Sequence, residues 1–190
     1  MKHTGKLIVL SAPSGSGKTT IAKELLSAGL GLEFSISACS REKRTSETDG
    51  KDYFFLSPEE FQSRIESGDF LEWEEVYPKH FYGTLKSEVQ RIWDEGKHVL
   101  FDIDVKGGRS IKQLYQTQTL AVFIQAPSIE VITERLNNRS TDSPEIIAMR
   151  INKAEEELGY AKYFDRIIIN DQLDTAVRET IDYVRQFITN

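Results

Sequence analysis

The chain carries a single cysteine, Cys39, in 190 residues. One thiol closes no internal disulfide and builds no cysteine-based metal cluster. The three histidines, His3, His80 and His98, have no metal-ligand spacing. No apolar run approaches the roughly 20 residues that span a bilayer. The charged start Met1-Lys2-His3-Thr4-Gly5 leads into an apolar stretch at residues 7–10 that is strand-length rather than a secretory segment. These absences predict a soluble, cytoplasmic protein. An excess of positive charge is missing too: 24 Lys and Arg face 30 Asp and Glu, for a net charge of -6. That balance argues against a nucleic-acid polymer or an anionic membrane as partner. It leaves room for a small anion, because a few arginines in one pocket outweigh the global sign at close range. Internal repeats and low-complexity tracts are absent, and nothing in the sequence indicates an obligatory protein partner.

What is present is an ordinary globular composition, with 39% hydrophobic and 28% charged residues. The length suits one domain, or one domain with a large insertion, and suffices to bury a full core. Strand-like and helix-like stretches alternate, which predicts an α/β fold with a mainly parallel sheet. Buried-strand texture is expected at residues 7–10, 98–103, 120–125 and 166–169, and a second strand over residues 32–38. Helical spacing is expected at residues 18–28, 106–116, 128–136, 144–160 and 173–188. Between residues 41 and 95 the texture changes to polar, charged and aromatic. Within it, Ser57-Pro58-Glu59-Glu60 reads as a helix start, with Ser57 as N-cap and Glu60 as capping-box partner, and Gly68 as the stop. The domain expectation is a core of residues 1–34 and 96–190, an insertion at 35–95, and a small lid segment at 135–147.

The strongest local signal is Ala12-Pro13-Ser14-Gly15-Ser16-Gly17-Lys18-Thr19. It matches the phosphate-loop pattern G-x-x-x-x-G-K-[ST], with Ala12 in place of the first glycine. Gly15 and Gly17 let backbone N–H groups wrap a phosphate without an intervening Cβ. The following helix N-terminus adds the positive end of its dipole. Lys18 supplies a point charge to the β/γ-phosphates, and the Thr19 hydroxyl is a candidate Mg²⁺ ligand. Ala12 in this position requires a negative φ.

A phosphate loop implies a nucleotide but not a reaction. Further along stand Ser37-Ala38-Cys39-Ser40-Arg41-Glu42-Lys43-Arg44, then Gly50-Lys51-Asp52-Tyr53-Phe54-Phe55, Phe70-Leu71-Glu72-Trp73, Phe81-Tyr82-Gly83-Thr84 and Asp102-Ile103-Asp104-Val105-Lys106-Gly107. In order and spacing this series resembles the guanylate kinases, essentially from Lys6 to Phe187. The resemblance implies a P-loop nucleoside monophosphate kinase fold: a parallel-sheet core with helices on both faces, a mixed α+β GMP-binding insertion and a small lid. It also implies the reaction ATP + GMP giving ADP + GDP, a step that recycles GMP toward GTP, with Mg²⁺ as cofactor and dGMP as a further acceptor.

Carried over residue by residue, the resemblance assigns the GMP phosphate to Arg41, Arg44, Tyr53 and Tyr82. Two arginines three apart can fork a phosphate dianion, and each tyrosine offers an O–H. Guanine goes to Ser37, Glu72, Thr84 and Asp104. A carboxylate accepts from guanine N1–H and N2–H₂ together, a pattern adenine cannot reproduce. Asp102 and Asp104 alternate at the end of a strand and are expected to point the same way; Asp102 is a candidate for the Mg²⁺ shell through water or for orienting its neighbours. The lid reads Arg135-Leu136-Asn137-Asn138-Arg139-Ser140-Thr141-Asp142-Ser143, with Asn138 and Ser140 where many relatives carry glycine. Lys43 stands where proline is common. Arg139 and Arg150 match arginines that reach the transferring phosphoryl group, with Arg135 a third contact to ATP, and Asn170-Asp171 match a segment lining adenine. Catalysis is assigned to Lys18, Arg41, Arg139 and Arg150, by charge stabilisation without a covalent nucleophile.

Two other readings compete. One is a related P-loop kinase acting on another small phosphorylated substrate, such as a ribose bisphosphate, which would not require the base-reading set. The other is a non-catalytic guanylate-kinase-like module that binds phosphoproteins, whose kind has lost the working phosphate loop. Cys39 is expected to be a small packed residue; Phe70, Trp73, Phe81 and Trp93 to pack the insertion core; and residues 155–157 to be a solvated helix face.

Overall fold

The structure is a computed structural model and describes residues 5–138 and 143–190. The chain divides into two compact units. One holds Lys6–Leu32 and Leu100–Asn190, the other Glu33–Val99 with Gly5.

The first unit is built on parallel strands. β1 (Leu7–Ser11) is fully buried, as a strand covered on both faces must be. It pairs in parallel with β8 (Thr119–Gln125), which pairs in parallel with β9 (Arg166–Ile169). With β2 (Leu32–Phe34) and β7 (His98–Asp102) the sheet has the order β2-β7-β1-β8-β9. Alternate side chains serve opposite faces. Ile8, Leu10, Val122 and Ile124 pack with Ile21 and Leu25 of α1 (Lys18–Ser27) and Ala176 and Val184 of α7 (Leu173–Thr189). On the other face Phe123 packs with Val105 of α4 (Val105–Tyr115) and with Phe164. The core is completed by α5 (Ile129–Asn138) and α6 (Pro144–Leu158), which meet through Ile132, Leu136 and Ala154. The α/β reading with a parallel sheet and helices on both faces holds. One expectation fails: β9 is an edge strand and not a buried one, leaving Ile167 46% and Ile169 47% exposed.

The second unit is a four-stranded sheet in the order β4-β3-β6-β5, with two helices. Its strands are β3 (Ala38–Cys39), β4 (Phe54–Phe55), β5 (Phe70–Tyr77) and β6 (His80–Leu85). The helices are α2 (Pro58–Glu66) and α3 (Lys86–Asp94). The single strand expected over residues 32–38 is in fact two short ones in different sheets, β2 and β3. A continuous apolar-polar texture does not reveal where a chain changes sheets. Phe61 of α2 stacks on Phe70, with ring centroids 4.3 Å apart, and both pack with Ala38 and Leu85. Trp73, expected in this core, is 42% exposed, and its ring meets that of Phe81 edge-on at 6.1 Å. Ser57 caps α2 by accepting the Glu60 N–H at 3.1 Å, and Gly68 ends it at φ 70°. The Glu60 carboxylate does not close the capping box; it pairs with Arg64 one turn on, at 3.2 Å.

Candidate functional site

In the first unit the phosphate loop joins β1 to α1. Gly15 and Gly17 lie at φ 87° and 89°, where a Cβ would be strained. Ala12 keeps an ordinary backbone, since left-handed φ among described non-glycine residues occurs only at Lys79 and Gln116. α1 begins at Gly17 without a side-chain cap and without an acidic residue in its first turn. By contrast α2, α4 and α6 are each capped by a side chain, Ser57, Asp104 and Ser143. The start of α1 therefore keeps backbone N–H groups and positive dipole that its own side chains do not satisfy.

The loop is braced from behind. The Asn170 amide, 4% exposed, donates to the Ser16 carbonyl at 2.8 Å. A Cβ on Gly17 would come within 2.3 Å of that same amide nitrogen, so glycine is required by contact as well as by φ. Arg135 of α5 donates to the Asn170 carbonyl at 3.0 Å and reaches the Gly15 carbonyl at 3.5 Å. Both residues were expected as ATP contacts. The contacts found make Asn170 a buttress of the loop; Asp171 beside it is exposed.

Lys18 forms an ion pair with Asp102 at the end of β7 and donates to the Ile103 carbonyl at 3.2 Å. An ammonium has three donors, so these partners leave capacity for a phosphate oxygen. Asp102 and Asp104 do not act alike. The strand ends at Asp102, and Asp104 lies beyond it as the N-cap of α4, accepting Lys106 N–H at 2.7 Å and Gly107 N–H at 3.0 Å. The alternation argument needed one strand through both, and a helix cap interrupts it. Arg150 is half-buried on α6, whereas Arg139 and the rest of residues 139–142 lie outside the described residues. Glu157, expected on a solvated face, is half-buried, and burial pushes its carboxyl upward; Lys153 and Lys18 only partly offset this, and Asp104 adds to it.

In the second unit, cross-strand register brings distant residues together. Glu72 of β5 lies opposite Thr84 of β6, and Glu74 opposite Tyr82. The Thr84 hydroxyl donates to Glu72 Oε1 at 2.6 Å, and both side chains are buried. A carboxylate is expensive to bury unless donors satisfy it. Gly83 separates Tyr82 from Thr84 because a Cβ there would strike the Glu72 carbonyl at 2.7 Å and Trp73 Cβ at 2.9 Å. Ser37, half-buried, precedes β3 and fixes β4 by accepting Phe54 N–H at 2.9 Å through its carbonyl.

Arg41, Tyr53 and Tyr82 converge as expected. Arg41 Nε donates to the Tyr82 hydroxyl at 3.2 Å, its guanidinium lies 5.1 Å from the Tyr53 ring centre, and the two tyrosine rings meet edge-on at 6.0 Å. Arg44 is exposed beside them. The Arg41 fork, expected open for a phosphate, is instead filled by Glu47, at 2.7 and 2.6 Å. Sequence reading missed Glu47, because no local signal sets it apart from Glu42 in the same segment. The Arg41 fork and the Arg44 backbone N–H together hold the Glu47 carboxyl at about 2, below its ordinary 4.5. The stability this adds is full above pH 4.5 and is lost as pH falls through about 2. Cys39 is fully buried, and burial pushes its thiol up, as suits a small packed residue.

A glycine-rich strand-to-helix loop carrying a lysine, on a parallel sheet with helices on both faces, defines a protein of the P-loop nucleotide-binding class. The guanylate kinase family model matches residues 4–187. A guanylate kinase of Bacteroides thetaiotaomicron is 52% identical over 185 residues, covering 97% of this chain and 91% of that one. One of Porphyromonas gingivalis is 53% identical over 184 residues, covering 96% and 98%. In structure, the crystal structure of guanylate kinase from Anaplasma phagocytophilum superposes with a TM-score of 0.78 at 26% identity, covering 100% of this chain and 89% of that chain. The chain belongs to the guanylate kinase family. No helix among the described residues is long and apolar enough to cross a membrane.

Proposed function

We propose that this chain phosphorylates GMP with ATP, releasing ADP and GDP, and that the residues above divide the work. The phosphate loop holds the ATP phosphates through its backbone N–H groups and Lys18. Arg41, Arg44, Tyr53 and Tyr82 hold the phosphate of GMP. Glu72, with Ser37, Thr84 and Asp104, reads guanine. The observation that carries the reading is the buried Glu72 carboxylate, already bonded to the Thr84 hydroxyl at 2.6 Å. A buried acceptor of this kind rewards guanine's paired donors and leaves adenine's acceptor N1 facing an anion.

The transferring phosphoryl group spreads negative charge over its equatorial oxygens, so the chain's contribution is positioning and fixed cations. Lys18, Arg41 and Arg150 are the described cations assigned to that charge; Arg139 has the same assignment. The acceptor is already a phosphate, so no covalent nucleophile is required. Thr19 and Asp102 fit Mg²⁺ chemically, as hard oxygen donors. Among the described residues no group of three His, Cys, Asp or Glu side chains could cage a metal. That suits an ion held largely by nucleotide phosphates and water, with Thr19 as direct ligand and Asp102 through water. When bound, Mg²⁺ would neutralise charge on the ATP phosphates.

The test is ADP formation with GMP, dGMP, AMP, CMP and UMP as acceptors. Turnover with GMP at least about 100-fold above AMP is expected from the loss of paired, charge-assisted hydrogen bonds. Equal rates with GMP and AMP overturn the guanine assignment.

A further inference from the structure

The Arg41 guanidinium has five N–H donors, and four of them are accounted for. NH1 donates to Glu47 Oε2 at 2.7 Å and to the Glu42 carbonyl at 3.0 Å, NH2 to Glu47 Oε1 at 2.6 Å, and Nε to the Tyr82 hydroxyl at 3.2 Å. One hydrogen, on NH2, remains. Glu47 Oε2 also accepts the Arg44 backbone N–H at 2.9 Å, so one carboxylate fixes both arginine-bearing positions. The Lys43 ammonium adds a further tie, donating to the Glu47 carbonyl at 3.2 Å. The guanidinium also lies over the neighbouring Tyr53 and Phe55 rings, 5.1 and 5.5 Å from their centres.

The consequence falls on Tyr82. Its oxygen accepts from Arg41 Nε, so its own hydrogen cannot point back along that bond and is left for another acceptor. A phosphate displacing Glu47 from the fork would have to break two short charge-assisted bonds and the one to Arg44. A phosphate meeting the cluster as it stands takes the Tyr82 hydrogen, the last NH2 hydrogen of Arg41, and the Arg44 side chain.

We propose that Glu47 is a positioning residue for the acceptor nucleotide: it locks Arg41 so that Nε holds the Tyr82 oxygen and the Tyr82 O–H is aimed at the substrate's phosphate. Arg41 is then a neutralised scaffold, and Arg44 supplies the net charge of the subsite. This rests on the assignment of this cluster to the GMP phosphate.

The test uses the full chain, with Glu47→Gln, Tyr82→Phe and the double variant, each checked by thermal melt. In steady state, Glu47→Gln is expected to raise KM for GMP by about tenfold or more, as for a lost charge-assisted bond. KM for ATP is expected to stay within about twofold. The double variant is expected to cost no more than about twice Tyr82→Phe alone, because both changes remove the same hydroxyl from service. Arg41→Lys, which keeps the charge but offers no Nε–H, is expected to give the same GMP-selective loss and covers the case of a Glu47 variant that fails to fold. Tighter GMP binding in Glu47→Gln overturns the proposal, since it would make the carboxylate a competitor of the phosphate. So do equal rises in both KM values, multiplicative effects in the double variant, or no change in Glu47→Gln while the wild type turns over GMP. A wild type that forms no ADP with GMP overturns the functional assignment itself, and this proposal with it.

Discussion

The phosphate loop and the β5–β6 hairpin cluster both hold a cation against a carboxylate, and they do so differently. Lys18 meets Asp102 and a carbonyl through a compact ammonium on a flexible stem. Arg41 meets Glu47, Tyr82 and Glu42 through a planar fork that is nearly saturated. A lysine can swing from one anion to another with little loss; an arginine whose fork is already filled by a carboxylate cannot. Equal ion pairing therefore need not mean equal roles. Under the proposed function, the loop's cation would follow a moving charge, that of the transferring phosphoryl group, and the cluster's cation would stay in place as a template for a stationary phosphate.

The largest expected effect tests the mobile side of this contrast. Lys18→Ala is expected to lower turnover by roughly 10²–10³-fold, the range for losing one preorganised charge partner of a transition state. The measurement is the rate at saturating ATP and GMP on a sample whose melt shows it folded. Turnover within about threefold of wild type would break the assignment of Lys18 to the reacting phosphates.

A smaller effect is expected on the fixed side. Glu72→Gln keeps an oxygen for the Thr84 hydroxyl but turns an NH₂ toward guanine's donors. The efficiency kcat/KM for GMP is expected to fall about 100-fold, and the preference for GMP over AMP to shrink with it. An unchanged preference would mean that guanine is read elsewhere.

The smallest expected effect concerns Glu157, whose carboxyl feels the Lys18 charge. Burial raises the Glu157 carboxyl above its ordinary 4.5, so ionising it disfavours the fold. The raised carboxyl costs nothing below pH 4.5, and stability is lost as pH rises through its shifted value. Glu157→Gln removes that titration. A small rise in Tm at neutral pH, vanishing below about pH 4.5, is the expected result in paired melts. A fall in Tm at neutral pH would instead make Glu157 a net favourable partner of Lys18 and Lys153.

Legibility followed the same division. The loop is contiguous, and each of its features is local: left-handed φ at Gly15 and Gly17, a helix opened without a side-chain cap, a lysine at the right offset. Sequence alone was enough for these, as for the strand–helix alternation and the Ser57 cap. The hairpin cluster draws on β5, β6, the segment before β4 and the turn after β3, and its partners are chosen by register. Glu72 and Thr84 were each legible as motif residues through family resemblance, but their hydrogen bond exists because β5 and β6 pair with those two residues opposite. Nothing local distinguishes Glu47 from Glu42; only the folded turn puts one into the Arg41 fork.

By itself the sequence determined the α/β class, the phosphate loop and the residue types a guanine nucleotide would need, because propensity, spacing and glycine's backbone freedom are properties of short stretches. The tertiary structure decided which carboxylate neutralises which cation, that Asp104 caps a helix while Asp102 holds Lys18, that Asn170 supports the loop from behind, and that β9 lies at an edge. Those outcomes depend on which strands become neighbours and in what register. A shift of one residue in that register would turn every side chain on the strand to the opposite face.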